Sequence, residues 1–424
     1  MIKRNSLWEI CRRYCRLIAI KRYPLRGIIL VFFFFHFSFL HSQTLPLSET
    51  ATASVLTCGP GNDFYTTFGH SALRITDTAQ GLDLVYNYGT FDFNTPHFYW
   101  KFMRGKLDYC LGRSTFDHFM VEYVCEGREV REQRLCFTPQ EVNNLYLLLE
   151  QNYLPEYRYY HYDFFTDNCA TRIRDMVRLA LGHREMSLMR EAKPMSYRRL
   201  VTRNLKGTLE WWQLGIDLLF GLPTDHICDA NERMFLPEEM EAELAEAWPK
   251  AESMPDGMVS LNEMEATMVE KEQLLLPERR EPLSRSFSPL VVFALLFAAV
   301  AVWSLRVNKS TSLRVNRSMA LRVFDRVILF FAGLVGLFLL FMWFGTDHYC
   351  TQWNLNILWA SPLLLLIAIR LERSPKWALW LQEASFLVAM VWIIWCGLSL
   401  ALIPLVLTLA LRVGVLLKDI PYGK

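Results

Sequence analysis

The sequence predicts an α+β exported domain followed by an α-helical transmembrane bundle. Three observations carry that reading. A basic segment and a short apolar run open the chain, a polar stretch of mixed character follows, and the last third is a succession of apolar runs separated by basic loops. At 424 residues the chain is too long for one ordinary domain, and its 52% hydrophobic content is unevenly placed. The boundaries read as 1–42 for a signal peptide or N-terminal anchor, 43–281 for the exported domain, and 282–424 for a bundle of about five helices.

The opening segment holds Lys3, Arg4, Arg12, Arg13, Arg16, Lys21, Arg22 and Arg26 against one acid, Glu9. An apolar run from Gly27 to Leu40 and the small polar residues 41–44 complete an export signal. The run is short for a span, which favours a cleaved signal over an anchor. With either outcome the chain after Gln43 lies outside the cytoplasm. The net charge of +2 argues against a nucleic-acid binder. The ten cysteines form no CxxC pair and no zinc spacing, so no metal and no cofactor are expected. A disulfide between Cys125 and Cys136 across a hairpin is one option in an oxidising compartment.

Within the exported domain, strands are expected at 54–57, 66–75, 82–88 and 128–137, where β-prone residues lie between Gly- and Asp-containing turns. Residues 139–151 carry a helical apolar pattern. A second helix is expected after Asn168, because Ile173, Met176, Val177 and Ala180 share one face and Asp167 or Asn168 is a suitable N-cap. The acidic stretch 238–272 reads as a helix and connecting segment, and 277–288 as the linker to the membrane. The basic segment 184–206 reads as a solvated helix face, or as a surface for anionic headgroups.

Cys169 thus falls in the first turn of a helix. There the backbone N–H groups and the helix dipole lower a thiol's pKa, and the same N–H groups can hold an oxyanion. A thiolate nucleophile needs an imidazole partner within reach, and His70, on a strand beside Gly69, suits that role. A third polar group would orient the imidazole. Asn87 on the next strand is the first candidate, with Asp63 and His97 behind it. Asn168, Arg172 and His348 are candidate substrate-binding residues. For Arg172 and Arg174 the choices are a lipid phosphate or an ion pair with a nearby acid such as Asp175. The aromatic run 91–100 either lines an acyl groove or belongs to the core.

In the last third, spans are expected at 289–305, 327–345 and 355–369, and 377–417 is long enough for two more with a turn near 397–404. The loops 306–326 and 370–376 are both rich in Arg and Lys, which makes both cytoplasmic if the spans alternate. The polar loop 345–354, with Asp347 and His348, then faces the exported domain. It either closes a site at the membrane surface or is a plain hairpin.

Three segments carry a family resemblance: YTTFGHSALR at 65–74, YNYGTFDF at 86–93 and YDFFTDNCATRIRD at 162–175. They resemble the Lnb-type lipoprotein N-acyltransferases, and the likeness continues through WWQLGID at 211–217, MFLPE at 234–238 and NLNILW at 354–359. More distantly, a strand His followed by an Asn-Cys helix start is similar to the permuted papain-like fold of the NlpC/P60 and lecithin:retinol acyltransferase group. The resemblance implies that the periplasmic domain has that fold, with His70 as general base and Cys169 as nucleophile, and it leaves the third residue open. It implies an enzyme of the bacterial inner membrane that moves an acyl chain from a phospholipid donor, through a Cys thioester, to the N-terminal amine of a diacylated lipoprotein acceptor. The competing readings are a cell-envelope thiol hydrolase and a non-catalytic envelope receptor.

Overall fold

The computed structural model describes residues 46–188, 190–205, 209–250, 267–279, 287–309 and 314–419. The proposed signal segment 1–42 lies outside them, as does most of the linker expected at 277–288. Five strands build the centre of the exported part: β1 (Thr52–Cys58), β2 (His70–Asp77), β3 (Leu82–Thr90), β4 (Asp108–Thr115) and β5 (Val130–Leu135). With β6 (Tyr159–His161) and β9 (Val269–Leu276) they form an antiparallel sheet of order β6-β4-β3-β2-β1-β5-β9. A small second sheet pairs β7 (Glu185–Ser187) with β8 (Trp248–Lys250).

The helices of this part are α1 (Phe98–Met103), α2 (Phe116–Glu126), α3 (Pro139–Tyr153), α4 (Cys169–Leu181), α5 (Tyr197–Leu205), α6 (Glu210–Leu219), α7 (Ala230–Arg233) and α8 (Pro237–Glu246). Both faces of the sheet are covered. Val55, Leu73 and Tyr86 pack with Leu145, Leu149, Ile173 and Val177 of α3 and α4. On the other face Leu56, Ala72 and Val85 meet Phe119 and Tyr123 of α2. Central strand β1 is therefore buried at nearly every position and lacks the in–out alternation of a half-exposed strand.

Several expectations are corrected. Residues 66–69 form a turn and β2 begins only at His70, after Gly69 takes a φ of +77°. The acidic stretch 238–272 is only partly helical: α8 ends at Glu246, and the end of the stretch is strand β9, which pairs with β5. Its exposed Glu and Lys side chains lie on an edge strand, where charge deters further pairing. Cys125 lies in helix α2, not in a strand facing Cys136, and both are free thiols. The basic segment 184–206 divides: Arg198 is buried, while Lys193, Arg199 and Arg203 keep an exposed face, and four of its arginines are ion-paired within the protein. Arg184 pairs with Glu141, Arg190 with Glu239 and Glu243, Arg198 with Asp225, and Arg203 with Glu239.

The C-terminal part contains α9 (Pro289–Lys309), α10 (Arg314–Phe344), α11 (Leu363–Ile369), α12 (Lys376–Cys396) and α13 (Leu402–Asp419). Among the described residues, 289–306, 319–344 and 376–396 are long and apolar enough to cross a membrane. The segment 349–369 is a fourth candidate, broken by a 43° bend. The basic loop expected at 306–326 is mostly helix. The reason lies at Asp325, which is buried inside the bundle instead of standing in a loop. Its carboxylate accepts two hydrogen bonds from Arg412 at 2.5 and 2.8 Å, and Arg412 also donates to Ser304 at 2.7 Å. One polar clamp thus joins α9, α10 and α13. Arg322 and Glu372 form an ion pair at 2.9 Å, which brings the two basic segments to the same end of the bundle.

The opposite end is bonded to the exported part. The last carbonyls of a helix have no partner within the helix. Those of α6 are met by the loop after α10: Asn354 Nδ2 donates to Leu218 O and Leu219 O at 2.8 and 2.9 Å, and Asn356 Nδ2 to Asp217 O at 2.8 Å. Gly221 N–H donates to Cys350 O at 2.8 Å, and Ser399 N–H to the Asp217 carboxylate at 2.9 Å. At Gly221 the chain passes so close to Gln352 that any Cβ would overlap its carbonyl oxygen.

Candidate active site

The site grows from the sheet register. Leu73 pairs with Tyr86, so His70 and Asn87 stand as same-face diagonal neighbours on β2 and β3. Asn87 Oδ1 lies 2.5 Å from His70 Nε2. Since the amide oxygen only accepts, Nε2 carries the proton. The other charged neighbour of the ring is Cys169, and each of the two groups favours the charged form of the other. Asp63 and His97 take no part. The Asp63 backbone carbonyl receives the Thr66 and Thr67 hydroxyls, and His97 precedes α1 with a φ of +58°.

Cys169 is the first residue of α4, and the sequence sets that helix start tightly. Asn168 Oδ1 accepts from Thr171 N–H at 2.9 Å, while Thr171 Oγ1 accepts from Asn168 N–H at 2.8 Å. This reciprocal cap satisfies two donors that a helix end leaves open. Asn168 Nδ2 also donates to Phe164 O and Phe235 O, at 2.8 Å each. The Asn168 side chain is fully engaged inside the protein and works as a cap that holds Cys169, not as a contact offered to a substrate.

Burial would push the Cys169 thiol up, but the His70 imidazolium and the backbone N–H groups of Ser71 and Ala170 outweigh it and bring its pKa below the ordinary value. Burial would likewise discharge His70, but the Cys169 thiolate and Asn87 hold its pKa above the ordinary value. Both shifts favour a thiolate–imidazolium pair. The comparison inside the same chain is direct. Cys58 and Cys228, buried without an imidazole partner, are each pushed up to about 12, mainly by desolvation. Gly89 closes the site from β3. At its φ of +88°, a Cβ there would stand 3.8 Å from Cys169 Cβ and 3.9 Å from His70 Cε1.

Arg172 is held by Asp167, at 2.5 and 2.7 Å, and lies over the Tyr160 ring at 3.7 Å. Arg174 pairs with Asp175, so both arginines take the ion pair with a nearby acid that was one of the two expectations for them. His348 Nε2 meets Phe102 O at 3.1 Å and the ring rests against Gly105. It therefore joins the loop after α10 to α1, and is not joined to Cys169. A cavity of about 320 Å³ opens where Phe165 and Thr166, just before the cap, face Tyr197, Glu232 and Tyr349. The aromatic run 91–100 was only half legible. Its rings are largely exposed, and its contacts reach α10.

Two family models match the chain: the Lnb N-terminal periplasmic domain over residues 43–204 and the Lnb transmembrane domain over residues 281–420. No curated protein matches, and no solved structure matches. The matched regions contain His70, Asn87 and Cys169 in the first and all five C-terminal helices in the second. This chain belongs to the Lnb family, and is a membrane protein with a periplasmic domain joined to a transmembrane domain.

Proposed function

We propose that this protein is a lipoprotein N-acyltransferase in which Cys169 is the nucleophile, His70 the acid–base partner and Asn87 the residue that orients His70. The observation that carries the reading is the placement of Cys169 at the capped start of α4 next to His70, with His70 Nε2 held 2.5 Å from Asn87 Oδ1, in a domain bonded to apolar helices. Structural cysteines buried without such a partner are inert.

The chemistry runs in two halves. The Cys169 thiolate attacks the acyl ester carbonyl of a phospholipid. The C–S bond forms, the C–O bond breaks, and the His70 imidazolium gives its proton to the departing alkoxide. A lysophospholipid leaves and the acyl chain stays as a thioester. The neutral amine of a diacylglyceryl-cysteine terminus then attacks the thioester. The C–N bond forms, the C–S bond breaks, and His70 takes the amine proton, which restores the starting pair. An α-amino group has a pKa near 8, so a useful neutral fraction exists at neutral pH. The N–H groups at the start of α4 and of Ser71 are the donors on hand for the oxyanion.

The proposed setting is the inner membrane. The end of the bundle where Arg322 meets Glu372 faces the cytoplasm, by the positive-inside rule, and the catalytic domain lies in the periplasm. Donor and acceptor are both lipid-anchored, so holding the thiol at the same surface raises their effective concentration. The test is mass spectrometry of lipoprotein N-termini in cells that depend on this protein. Wild type yields N-acylated termini and Cys169→Ser yields free amines. Retained N-acylation in the Cys169→Ser strain overturns the assignment.

A further inference from the structure

Helix α1 has the sequence FYWKFM and buries none of its residues. Tyr99 is 80% exposed, Trp100 51% and Phe102 44%, with Phe93 just before the helix at 59%. So many large apolar side chains in one short segment form a patch that water does not favour. Its position supplies the reason. Trp100 stacks on Phe341, in the last turn of the spanning helix α10, with ring centroids 5.8 Å apart. Arg104 Nε donates to Gly345 O at 3.2 Å, and Asp347 N–H donates to Arg104 O at 3.0 Å. The patch is thus continuous with a membrane-crossing helix at its end. Lys101, Arg104 and Lys106 stand among the rings, the mixture found where a protein meets lipid headgroups.

The patch also leads inward. Phe98 lies 5.7 Å from Phe91, Phe91 lies 5.4 Å from Tyr109, and Tyr109 stacks on Tyr162 at 4.6 Å. Tyr162 reaches Gly89, the residue that closes the site beside His70 and Cys169. Helix α1, whose Trp100 meets α10, is thus joined through Phe98 to a series of ring contacts that ends at Tyr162, beside Gly89 and the site.

We propose that this aromatic strip, within residues 91–109 and ending at Tyr162, is the surface along which one fatty-acyl chain of a bilayer glycerophospholipid lies between the membrane and Cys169. Its role as a donor route rests on the transferase reading above, while its occupancy by an acyl chain does not. The occupant is a lipid chain because the strip is apolar and continuous with a spanning helix, with Lys101 on α1 and Arg104 at its end, next to α10, while Lys106 is paired with Asp347. A peptide would need backbone partners that rings do not provide.

The test uses the full chain in nanodiscs of phosphatidylethanolamine and phosphatidylglycerol that contain a phosphatidylethanolamine with a diazirine in its acyl chain. After photolysis, adducts are expected on peptides covering 91–109 and Tyr162. Adducts confined to α9, α10 and α12 overturn the proposal. In the same nanodiscs Phe93→Asp is expected to lower Cys169 thioester formation from a long-chain phospholipid at least tenfold, and to lower that from a water-soluble acetyl ester less than threefold. An equal loss with both donors assigns Phe93 to the shape of the site and counts against the strip, with the adduct map on the unsubstituted protein deciding the matter. A strip that takes adducts in a protein that forms no thioester sinks the transferase reading and leaves the acyl surface standing.

Discussion

His70 Nε2 lies 2.5 Å from Asn87 Oδ1, and that single contact fixes which imidazole nitrogen carries a proton in the resting ring. An amide oxygen cannot donate, so the ring is held with Nε2 protonated. Replacing Asn87 with Ala frees the ring to rotate and to exchange tautomers. Acid–base catalysis contributes roughly 10²–10⁴-fold, and a part of it, about tenfold or more, is expected to be lost in Asn87→Ala. Single-turnover acylation of Cys169 measures it. Asn87→Gln, which keeps the acceptor, is expected to recover part of the rate, whereas an unchanged Ala variant excludes the orienting role.

Removing His70 tests the charge state. In Cys169 the imidazolium is the largest influence that lowers the thiol pKa, working against burial that raises it. His70→Ala leaves burial with only the backbone N–H groups to oppose it, so the thiol pKa rises. Each unit of rise cuts the thiolate fraction about tenfold at a pH below it. The rate of Cys169 alkylation by iodoacetamide is expected to fall at least tenfold at pH 7, with its profile moved to higher pH. In the wild type, reactivity extends below the ordinary thiol range and declines only as falling pH protonates the sulfur. Coincident profiles for the two proteins would show that no ion pair exists.

Gly221 tests how the two parts are joined. A methyl group there overlaps Gln352 O, beside the hydrogen bond from Gly221 N–H to Cys350 O. Gly221→Ala must move the loop after α10 and weaken the Asn354 and Asn356 caps on α6. Each buried polar group left without a partner costs about 1–3 kcal/mol. The expected result is a lower thermal midpoint in detergent and faster proteolysis near 345–354, read by mass spectrometry. A variant as stable and as protected as wild type refutes this role for the junction.

The clamp of Asp325 and Arg412 is a buried ion pair, in which losing one partner is worse than losing both. Arg412→Leu strands the Asp325 carboxylate and is expected to destabilise the fold by about 3–5 kcal/mol. The double variant Asp325→Leu/Arg412→Leu is expected to recover much of that loss. Unfolding in a mild detergent measures both. Additive losses would mean the two side chains do not act as a pair.

The sequence determined on its own whatever depends on near neighbours. Hydropathy over successive residues located the apolar helices, and the cap candidates Asp167 and Asn168 with the apolar face that follows them located the start of α4 and with it Cys169. His70 stood out because it follows Gly69 on an expected strand, whose start the structure then moves to His70 itself, and Asn87 because a neighbouring strand was its natural carrier. Only the tertiary structure decided what depends on distant parts of the chain meeting. Strand β9 forms because β5 offers it an edge, Asp325 is buried because Arg412 is there to neutralise it, and Asn354 and Asn356 become caps because α6 ends against them. A charge or an amide carries the same local signal in a loop as in a core. Its environment, and therefore its energy, is set by packing that no short window of sequence contains.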